Sequence, residues 1–348
     1  MLTVGIDVHF SKSSLCILDA HGKVIRHEEV KGPWSEVTGV LAKLRQPFQV
    51  CYEASLGYGH LHDQLRALPQ AKRIQVAHPG HLRLIYKSRK KNDRVDGEKL
   101  AKLLYLDQVP CVHVPEQDVR SWRAMIEWRH RLVGRSVMVK NQLRSLLKSC
   151  GIPSRSRGKL WRRKTGRQWL REQPLPTEMD TLRRDMLMEE LEAHDAQIKR
   201  VNKALAAIAQ RHPGVQLLRT IPGVGERTAE AFVAYVDDPH RFGRTRLIGV
   251  YLGLTPSQDA SGSQNHLGHI TREGPATLRQ YLTEATWRGV QWDASIKAHF
   301  EQVQRNDPAR RKIAVVATSR WLATVMLAML KSGESWRGGT TPAPVDSE

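Results

Sequence analysis

The chain has 348 residues, of which 55 are Lys or Arg and 35 are Asp or Glu, so its formal net charge is +20. Hydrophobic residues make up 40% of the sequence, which excludes a disordered chain and allows two domains with ordinary cores. Such an excess of positive charge predicts a polyanionic partner, most commonly nucleic acid. A ribosome-associated or merely basic protein is the alternative.

The four cysteines form no C-x-x-C pair, so the sequence predicts neither a zinc site nor a disulfide framework, and a reducing cytoplasm fits. The first ten residues, MLTVGIDVHF, lack the charged leader and apolar core of a signal peptide. Residues 313–330, IAVVATSRWLATVMLAML, are interrupted by Thr318, Ser319 and Arg320, which favours a buried helix over a membrane span.

The N-terminal third alternates between strand and helix patterns. Short alternating runs predict strands that form an antiparallel meander, and the later segments predict three helices and two more strands. The order β-β-β-α-β-α-β-α indicates an α/β domain on a mixed sheet, spanning residues 1–115. The predicted strands are 2–8, 13–18, 23–30, 48–53 and 73–78, and the predicted helices are 35–45, 57–67 and 93–106.

Four carboxylates in this domain suit phosphoryl chemistry. Asp7 lies in an apolar strand, where a carboxylate is costly unless it is paired or bound to a metal ion. Glu53 ends a later strand, and Asp93 and Asp96 share a helix face because they are three residues apart. Oxygen ligands on a rigid sheet suit Mg²⁺. Taken singly, NDRVD is also compatible with a helix-capping box and Glu53 with a surface position.

Residues 116–212 are predicted to be a helical and basic region, with helices at 118–149 and 180–210. The second helix carries apolar residues at coiled-coil-like spacing, for dimerisation or for packing against a helix of the same chain. They are Leu187, Leu191, Ile198, Val201, Leu205 and Ile208. Between the helices, the segment 153–171 is strongly basic and contains two tryptophans.

Residues 213–332 are predicted to form a second, mostly helical domain, followed by a Gly- and Pro-rich tail, 333–348, that is expected to be disordered. The stretch TIPGVGERTAEAFVAYV predicts a helix-hairpin-helix turn. Its glycines, Gly223 and Gly225, let backbone N–H groups approach a phosphate at a helix N-terminus. A plain Gly-Pro turn is the alternative.

Residues 255–270, TPSQDASGSQNHLGHI, are small and polar and are interpreted as a loop that a phosphate can approach closely. By composition Ser257, Ser261 and Ser263 are equally good candidates for chemistry, and a serine in such a turn is usually solvated. His266 and His269 are near in sequence but complete no evident Ser-His-Asp arrangement.

Three N-terminal segments, GIDVHFSK, CYEASLGYG and KNDRVDGEKLAKLL, resemble the DEDD transposases of insertion sequences. That family has a RuvC-like, RNase H-type N-terminal domain and includes the Piv-type invertases and the bridge-RNA-guided recombinases. The GLTP, S-G-S and glycine-led LR motifs of its second domain also appear here, at 253–256, 261–263 and 274–279. The resemblance covers nearly the whole chain except the tail and the basic 153–171 segment.

The resemblance implies that Asp7, Glu53, Asp93 and Asp96 bind Mg²⁺ and that Ser261 is the nucleophile, acting with them at one site. It implies DNA strand exchange that excises and integrates an insertion sequence. It also implies a noncoding bridge RNA that pairs with donor and target DNA, and a homo-oligomer that is a dimer and, in synapsis, a tetramer. No membrane partner is expected, and the expected location is the bacterial cytoplasm, at the nucleoid.

Basic clusters with neighbouring aromatic residues are the candidate nucleic-acid contacts, because cations bind phosphates and indole rings stack on bases. A solvated charged face is the alternative for each cluster. The candidates are Lys87, Arg89, Lys90, Lys91, Lys140, Arg144, Arg155, Arg157, Trp161, Arg162, Arg163, Gly223, Gly225 and Arg279.

Two other functions stay open. A RuvC-type, metal-dependent, structure-specific nuclease would cut with water, leave Ser261 a bystander and form no protein–DNA adduct. A non-catalytic nucleic-acid-binding protein would keep its function when Asp7 is replaced by Ala, although the presence of all four acids argues against it.

Overall fold

The chain divides into two compact units, Met1–Arg120 and Ser121–Glu348. The computed structural model describes residues 1–85, 93–153, 160–161, 164–261 and 264–338. The first unit is mixed α/β and the second is mostly helical, as the sequence predicts.

The first unit is built on one five-stranded sheet in the order β3-β2-β1-β4-β5. β1, β2 and β3 form an antiparallel meander, whereas β4 pairs parallel with both β1 and β5. The mixed sheet and its meander are therefore confirmed. The strands are β1 (Leu2–Val8), β2 (Lys12–Leu18), β3 (Val24–Lys31), β4 (Phe48–Glu53) and β5 (Ala71–Ala77).

Helices cover both faces of this sheet. One face carries large apolar side chains, including Ile6 and Tyr52, which pack with residues of α1 and α2. The other face carries small residues, including Cys16 and Cys51, which pack with residues of α4. Because side chains alternate along a strand, each strand contributes to both layers. The helices are α1 (Trp34–Ala42), α2 (Tyr58–Arg66), α3 (Pro79–Ile85) and α4 (Asp93–Tyr105).

The second unit contains two long helices, a helical core and a two-stranded hairpin. The hairpin strands are β6 (Pro256–Ser261) and β7 (Gln264–Ile270), which pair antiparallel. The helices are α5 (Gln117–Ser149), which begins in the first unit, α6 (Lys164–Glu172), α7 (Glu178–Arg211), α8 (Pro213–Leu218), α9 (Glu226–Val236), α10 (Leu247–Tyr251), α11 (Ala276–Trp292), α12 (Ala294–Gln304) and α13 (Arg311–Ser332).

α13 is central to the core of this unit. Leu322, Ala323 and Met326 on α13 are fully buried and share an apolar cluster with residues of α9 and α11. The segment Pro308–Ser332 is long and apolar enough to cross a membrane by length and composition, and 56% of its most apolar window is buried in the protein. Its packing is that of a core helix, as the interrupted apolar pattern predicts.

The apolar repeat of α7 packs largely within the same chain. Leu191 is buried in a cluster with α5 residues, and Leu205 is buried in the main core. Of the two uses of this repeat, packing against the same chain is the one that the structure describes. A different stripe, Met179, Leu182 and Met186, is exposed near the start of α7.

Residues 333–338 differ from the expectation of a disordered tail, because Trp336 is docked. Its indole nitrogen donates to Asp293 Oδ2 over 2.9 Å, its backbone nitrogen donates to Thr220 Oγ1 over 3.1 Å, and its ring contacts Trp321 edge to face. Burying an indole with its N–H satisfied stabilises the contact. The rest of the predicted tail, 339–348, lies outside the described residues.

Candidate functional site

Two of the predicted acids end neighbouring parallel strands. Asp7 is the penultimate residue of β1 and Glu53 is the last residue of β4. The register pairs Gly5 with Cys51 and Ile6 with Tyr52, so one further step places Asp7 beside Glu53. Because successive side chains of a strand point to opposite faces of the sheet, both acids lie on the same face as Cys51. That face is the one that α4 covers. The structure therefore brings these two carboxylates to one edge and one face of the sheet.

Helix α4 brings Asp96 to the same edge through unusually close backbone packing. A β-carbon at Gly5 would lie 2.1 Å from the carbonyl oxygen of Gly97 and 2.3 Å from the nitrogen of Ala101. A β-carbon at Gly97 would lie 3.7 Å from the backbone nitrogen of Asp7. Only glycine at position 5 allows this approach, which places the backbone next to Asp96 against the strand that carries Asp7. Asp93 is the first residue of α4, and its side chain is outside the described part.

Two basic side chains contact these acids. Lys99 Nζ lies 2.8 Å from Asp96 Oδ1, and the pair is partly buried. His9 Nε2 lies 3.6 Å from Asp7 Oδ2, with Asp7 only 18% exposed and His9 half exposed. The backbone carbonyl of His9 accepts hydrogen bonds from Ser13 and from the indole of Trp34, which fixes the turn between β1 and β2.

The donor chemistry of this edge fits a hard divalent cation, because carboxylate oxygens are the ligands that Mg²⁺ prefers. Within the described residues, however, no group of three His, Cys, Asp or Glu side chains lies close enough together to hold a metal ion. Asp7, Glu53 and Asp96 share an edge but do not form a closed ligand set there.

Ser261 does not lie in an irregular loop, as the composition suggested, but ends strand β6. Its backbone pairs with Gln264 on β7, and Asp259 pairs with His266 in the same register. Backbone N–H and C=O groups form the ladder, so a stretch without a run of apolar residues still forms a hairpin. The side chain of Ser261 is outside the described part, and its role as a nucleophile stays a prediction.

The base of this hairpin is held by a compact clamp. Gly253 and Gly274 both have positive φ, and a β-carbon on either would lie about 2 Å from a backbone oxygen of the opposite segment. Arg279 donates from Nη1 to the carbonyl oxygens of Leu252, Glu273 and Gly274 over 3.1, 2.6 and 3.1 Å. The GLTP and glycine-led LR motifs therefore hold the base of the hairpin together. Nucleic-acid contact by Arg279 stays a prediction.

The predicted hairpin turn at 221–225 connects α8 with α9. Gly223 has a φ of 92°, and a β-carbon there would lie 2.5 Å from the nitrogen of Gly289, so this glycine is required for packing against α11. Gly225 caps α9 without a side-chain hydrogen bond and has open space around its α-carbon. Only the second glycine leaves room for a phosphate at the helix N-terminus.

The remaining predicted nucleic-acid contacts are partly described. Lys140 and Arg144 lie on α5, where the guanidinium of Arg144 stands 5.5 Å from the ring centre of Trp161. Trp161 is half-buried against an apolar cluster with α5 and α7, which leaves less of its ring for stacking on bases. The other predicted cations lie outside the described residues, namely Lys87, Arg89, Lys90, Lys91, Arg155, Arg157, Arg162 and Arg163.

Sequence reasoning missed three residues of the acid edge. Gly5 could have been suspected, because a glycine inside an otherwise apolar strand often marks close backbone approach. Lys99 lies one helical turn after Asp96, a spacing that permits an ion pair. His9 follows Asp7 by two residues, but no local signal indicated that its ring turns towards the carboxylate.

Comparison with known families gives two matches that together cover most of the chain. Residues 4–152 match the model of the DEDD transposase family of IS110 type, described as "Transposase". Residues 215–301 match the "Transposase IS116/IS110/IS902 family". The first match contains the acid edge and the second contains the hairpin with Ser261.

Individual relatives extend over nearly the same length. The chain is 28% identical to the transposase for insertion sequence element IS1111A of Coxiella burnetii, over 97% of this chain and 91% of the relative. It is 26% identical to a probable family 20 transposase of Pseudomonas aeruginosa, over 80% and 81% of the two chains. It is 25% identical to the transposase for insertion sequence element IS1328 of Yersinia enterocolitica, over 81% of each chain.

Proposed function

Because the chain belongs to the IS110-type DEDD transposases of insertion sequences, enzymes that cleave and rejoin DNA, we propose that it excises and integrates its element by serine-dependent strand exchange. The observation that carries the proposal is the acid edge, where Asp7 and Glu53 end adjacent parallel strands and α4 brings Asp96 to the same face. The order of a strand Asp, a meander, a strand Glu and a helical Asp supports a RuvC-like, RNase H-type domain.

In this proposal Asp7, Glu53, Asp93 and Asp96 hold Mg²⁺. When bound, the ion would polarise the scissile phosphate and stabilise the charge that develops there. Gly5 sets the distance of α4 from β1, and with it the position of Asp96. Lys99 balances the charge of Asp96, so the carboxylates tolerate their proximity until a cation binds.

In the proposed serine step, Ser261 attacks a DNA phosphate. Its hydroxyl oxygen forms a bond to a DNA phosphorus, the phosphorus–oxygen bond to a deoxyribose hydroxyl breaks, and the proton of the serine is transferred to the solvent or to the departing oxygen. The phosphodiester is kept as a phosphoserine ester, so a second deoxyribose hydroxyl can reverse the step and rejoin the strands. The matching hairpin supports this assignment through its family motifs at 253–256 and 274–279.

Specificity is proposed to come from a noncoding bridge RNA that pairs with donor and target DNA, while the protein holds backbone and shape. The net charge of +20 supports an extensive polyanionic partner. Resemblance to the family supports assembly into dimers and, in synapsis, tetramers, and a location at the bacterial nucleoid.

The proposal is tested with purified protein, labelled DNA that carries the element's ends and a target, and RNA transcribed from the flank of the element. Cleaved and rejoined products are expected only when protein, Mg²⁺ and RNA are all present, and are lost in Asp96→Ala. Rejoining that needs no RNA would contradict guidance. Cleavage that yields only hydrolysed ends would contradict strand exchange and favour the simple nuclease.

A further inference from the structure

An open groove in the second unit is lined by none of the residues of the acid edge or of the serine hairpin. It has a volume of about 830 Å³ and is lined by residues of α5, α7 and the start of α9. In the described part of the chain, the residues that line it include five cations and no acid. They are Arg129, Ala196, Lys199, Arg200, Asn202, Lys203, Ala206 and Arg227.

The floor of the groove is one face of α7. Positions 196, 199, 203 and 206 are spaced by three, four and three residues, so they align along the helix. Ala196 and Ala206 are small, which leaves space beside the long side chains of Lys199 and Lys203. Lys199, Arg200 and Lys203 are all exposed, and none has an ion-pair partner within the described residues.

The walls of the groove are held in place by polar contacts. Arg129 on α5 donates to Asn202 Oδ1 over 2.6 Å and to the hydroxyl oxygen of Tyr281 over 3.2 Å, which leaves other guanidinium N–H groups for a ligand. Arg227 is paired with Glu226 and Glu230, so its charge is already balanced. The net positive charge of the groove therefore comes from Arg129 and the three unpaired cations of α7.

The groove ends at Arg227, the second residue of α9, and therefore beside the N-terminus of that helix. This helix is capped by Gly225, which has open space around it and no side-chain cap. The positive end of the helix dipole adds to the field of the cations. A line of unpaired cations beside a helix N-terminus without a side-chain cap is complementary to a row of phosphates, and DNA presents one negative charge per about 1.7 Å of its axis.

We propose that this groove binds the phosphate backbone of a DNA duplex through Lys199, Arg200 and Lys203, with Arg129 as a fixed wall. The contacts are to phosphates and carry no base readout. DNA is the established substrate of the family, so the proposal does not depend on the serine step or on a guide RNA. It adds a further place at which the enzyme would hold DNA, apart from the acid edge and the serine hairpin.

The test is fluorescence anisotropy with a 30-bp labelled duplex (about three helical turns) of arbitrary sequence, at several salt concentrations. The variant Lys199→Gln/Arg200→Gln/Lys203→Gln is compared with Lys43→Gln/Arg45→Gln/Lys72→Gln. The second triple removes two lysines and one arginine from exposed positions of the first unit, so the net charge of the two variants is equal. A DNA-only binding assay keeps this test separate from that of strand exchange.

The plot of log affinity against log salt concentration is expected to be less steep in the groove variant by about 2.7, because each of three lost phosphate contacts contributes about 0.9. The affinity near 0.1 M salt is expected to fall at least about tenfold. The control variant is expected to keep the parent's slope. Lys199→Gln alone is expected to lower the slope by about 0.9, which checks the assignment in a minimally altered protein.

Equal slopes for the groove variant and the control would overturn the proposal. A loss that is seen with a labelled RNA duplex but not with the DNA duplex would also overturn it, because the groove would then serve an RNA partner. Acetylation of Lys199 is also measured with and without the DNA duplex, which is expected to protect this lysine. Inorganic phosphate at millimolar concentration is expected to give no such protection. If phosphate alone protects Lys199 equally, the groove is an anion site and the DNA assignment fails.

Discussion

In the first unit Asp7 and Glu53 end strands of a five-stranded sheet that is covered by helices on both faces, whereas in the second unit Ser261 ends a strand paired only with β7 within the described residues. The acid edge is fixed by the sheet register and by direct backbone contact between β1 and α4. The contacts described for the serine hairpin hold its base, through Gly253, Gly274 and Arg279.

The proposed chemistry assigns different tasks to these two regions. A metal-binding edge needs carboxylates held in place before the cation arrives, because preorganised donors cost no reorganisation during the reaction. In the proposed chemistry the nucleophile must reach a phosphate on a large substrate, and a two-stranded hairpin that opens locally at low free energy suits that task. The following predictions test whether the two regions differ in this way.

The largest expected effect is on the acid edge. Asp7→Asn keeps the shape of the side chain but removes its charge, and is expected to lower DNA cleavage by at least about 10³-fold. The matched control is Asp107→Asn, the same change at an exposed aspartate that pairs with Arg73. Cleavage rates on a labelled substrate measure both. Equal rates for Asp7→Asn and the parent would remove Asp7 from the site.

The second effect concerns the backbone contact that positions Asp96. Gly5→Ala places a β-carbon about 2 Å from backbone atoms of α4, so the helix must move, at an expected cost of about 2–3 kcal/mol in the free energy of unfolding. Cleavage is expected to fall by more than about tenfold at temperatures where the protein remains folded.

Gly39→Ala is the control for this change, because nothing lies within 4 Å of a β-carbon at Gly39 on α1. It is expected to stabilise the protein by about 0.5–1 kcal/mol, as alanine does inside helices. Urea unfolding and cleavage rates are measured on both. A Gly5→Ala variant as stable and active as Gly39→Ala would show that α4 does not depend on this contact.

The next largest effect is expected on the stability of the hairpin base. Arg279→Ala removes three hydrogen bonds to backbone carbonyls, and hydrogen exchange of the amides of β6 and β7 is expected to become faster by about tenfold or more. Exchange in β1 is expected to stay unchanged. Arg288→Ala is the control, at an exposed position on α11, the helix that also carries Arg279. It should change amide exchange neither in the hairpin nor in β1. Unchanged exchange in the hairpin would mean that the clamp does not hold it.

The smallest expected effect is on pH dependence. Burial lowers the pKa of His62 in the first unit and of His212 in the second. A histidine with a lowered pKa in the folded state contributes stability that is fully present above its ordinary pKa, about 6.5, and is lost as the pH falls below it. The free energy of unfolding is therefore expected to decrease modestly from pH 7 to pH 5.5.

His212→Gln is expected to weaken this dependence, since glutamine does not titrate. The imidazole of His212 lies against Trp122, and its Nδ1 is buried without a hydrogen-bond partner in the described structure. Urea unfolding at several pH values, parent against variant, measures the difference. A variant with the parent's full pH slope would assign the dependence to other groups.

The sequence predicted the acid edge better than the serine hairpin, for a physical reason. Asp7 and Glu53 end strands whose apolar alternation is local, so strand, register and face follow from short stretches. The contact between Gly5 and α4 joins residues that are more than 90 positions apart, and only the folded chain shows it. The hairpin lacks apolar alternation, so its polar residues were interpreted as a loop.

The family assignment was also accessible from sequence, because short motifs around Asp7, Glu53 and Asp96 carry it. The groove between α5, α7 and α9 was not. Lys199, Arg200 and Lys203 are dispersed among other charges of a long helix, and only the positions of Arg129 and Arg227 show that they line a common space. A count of charge predicts a polyanionic partner but does not give its binding surface.

The serine step is tested most directly by a search for its covalent intermediate. Protein incubated with labelled DNA, Mg²⁺ and the flanking RNA is separated on a denaturing gel, and the adduct is digested and mapped by mass spectrometry. We expect a nucleotide on Ser261. The adduct should be lost in Ser261→Ala and kept in Ser257→Ala, a serine on the same strand. Cleavage that continues in Ser261→Ala without any adduct would contradict serine chemistry.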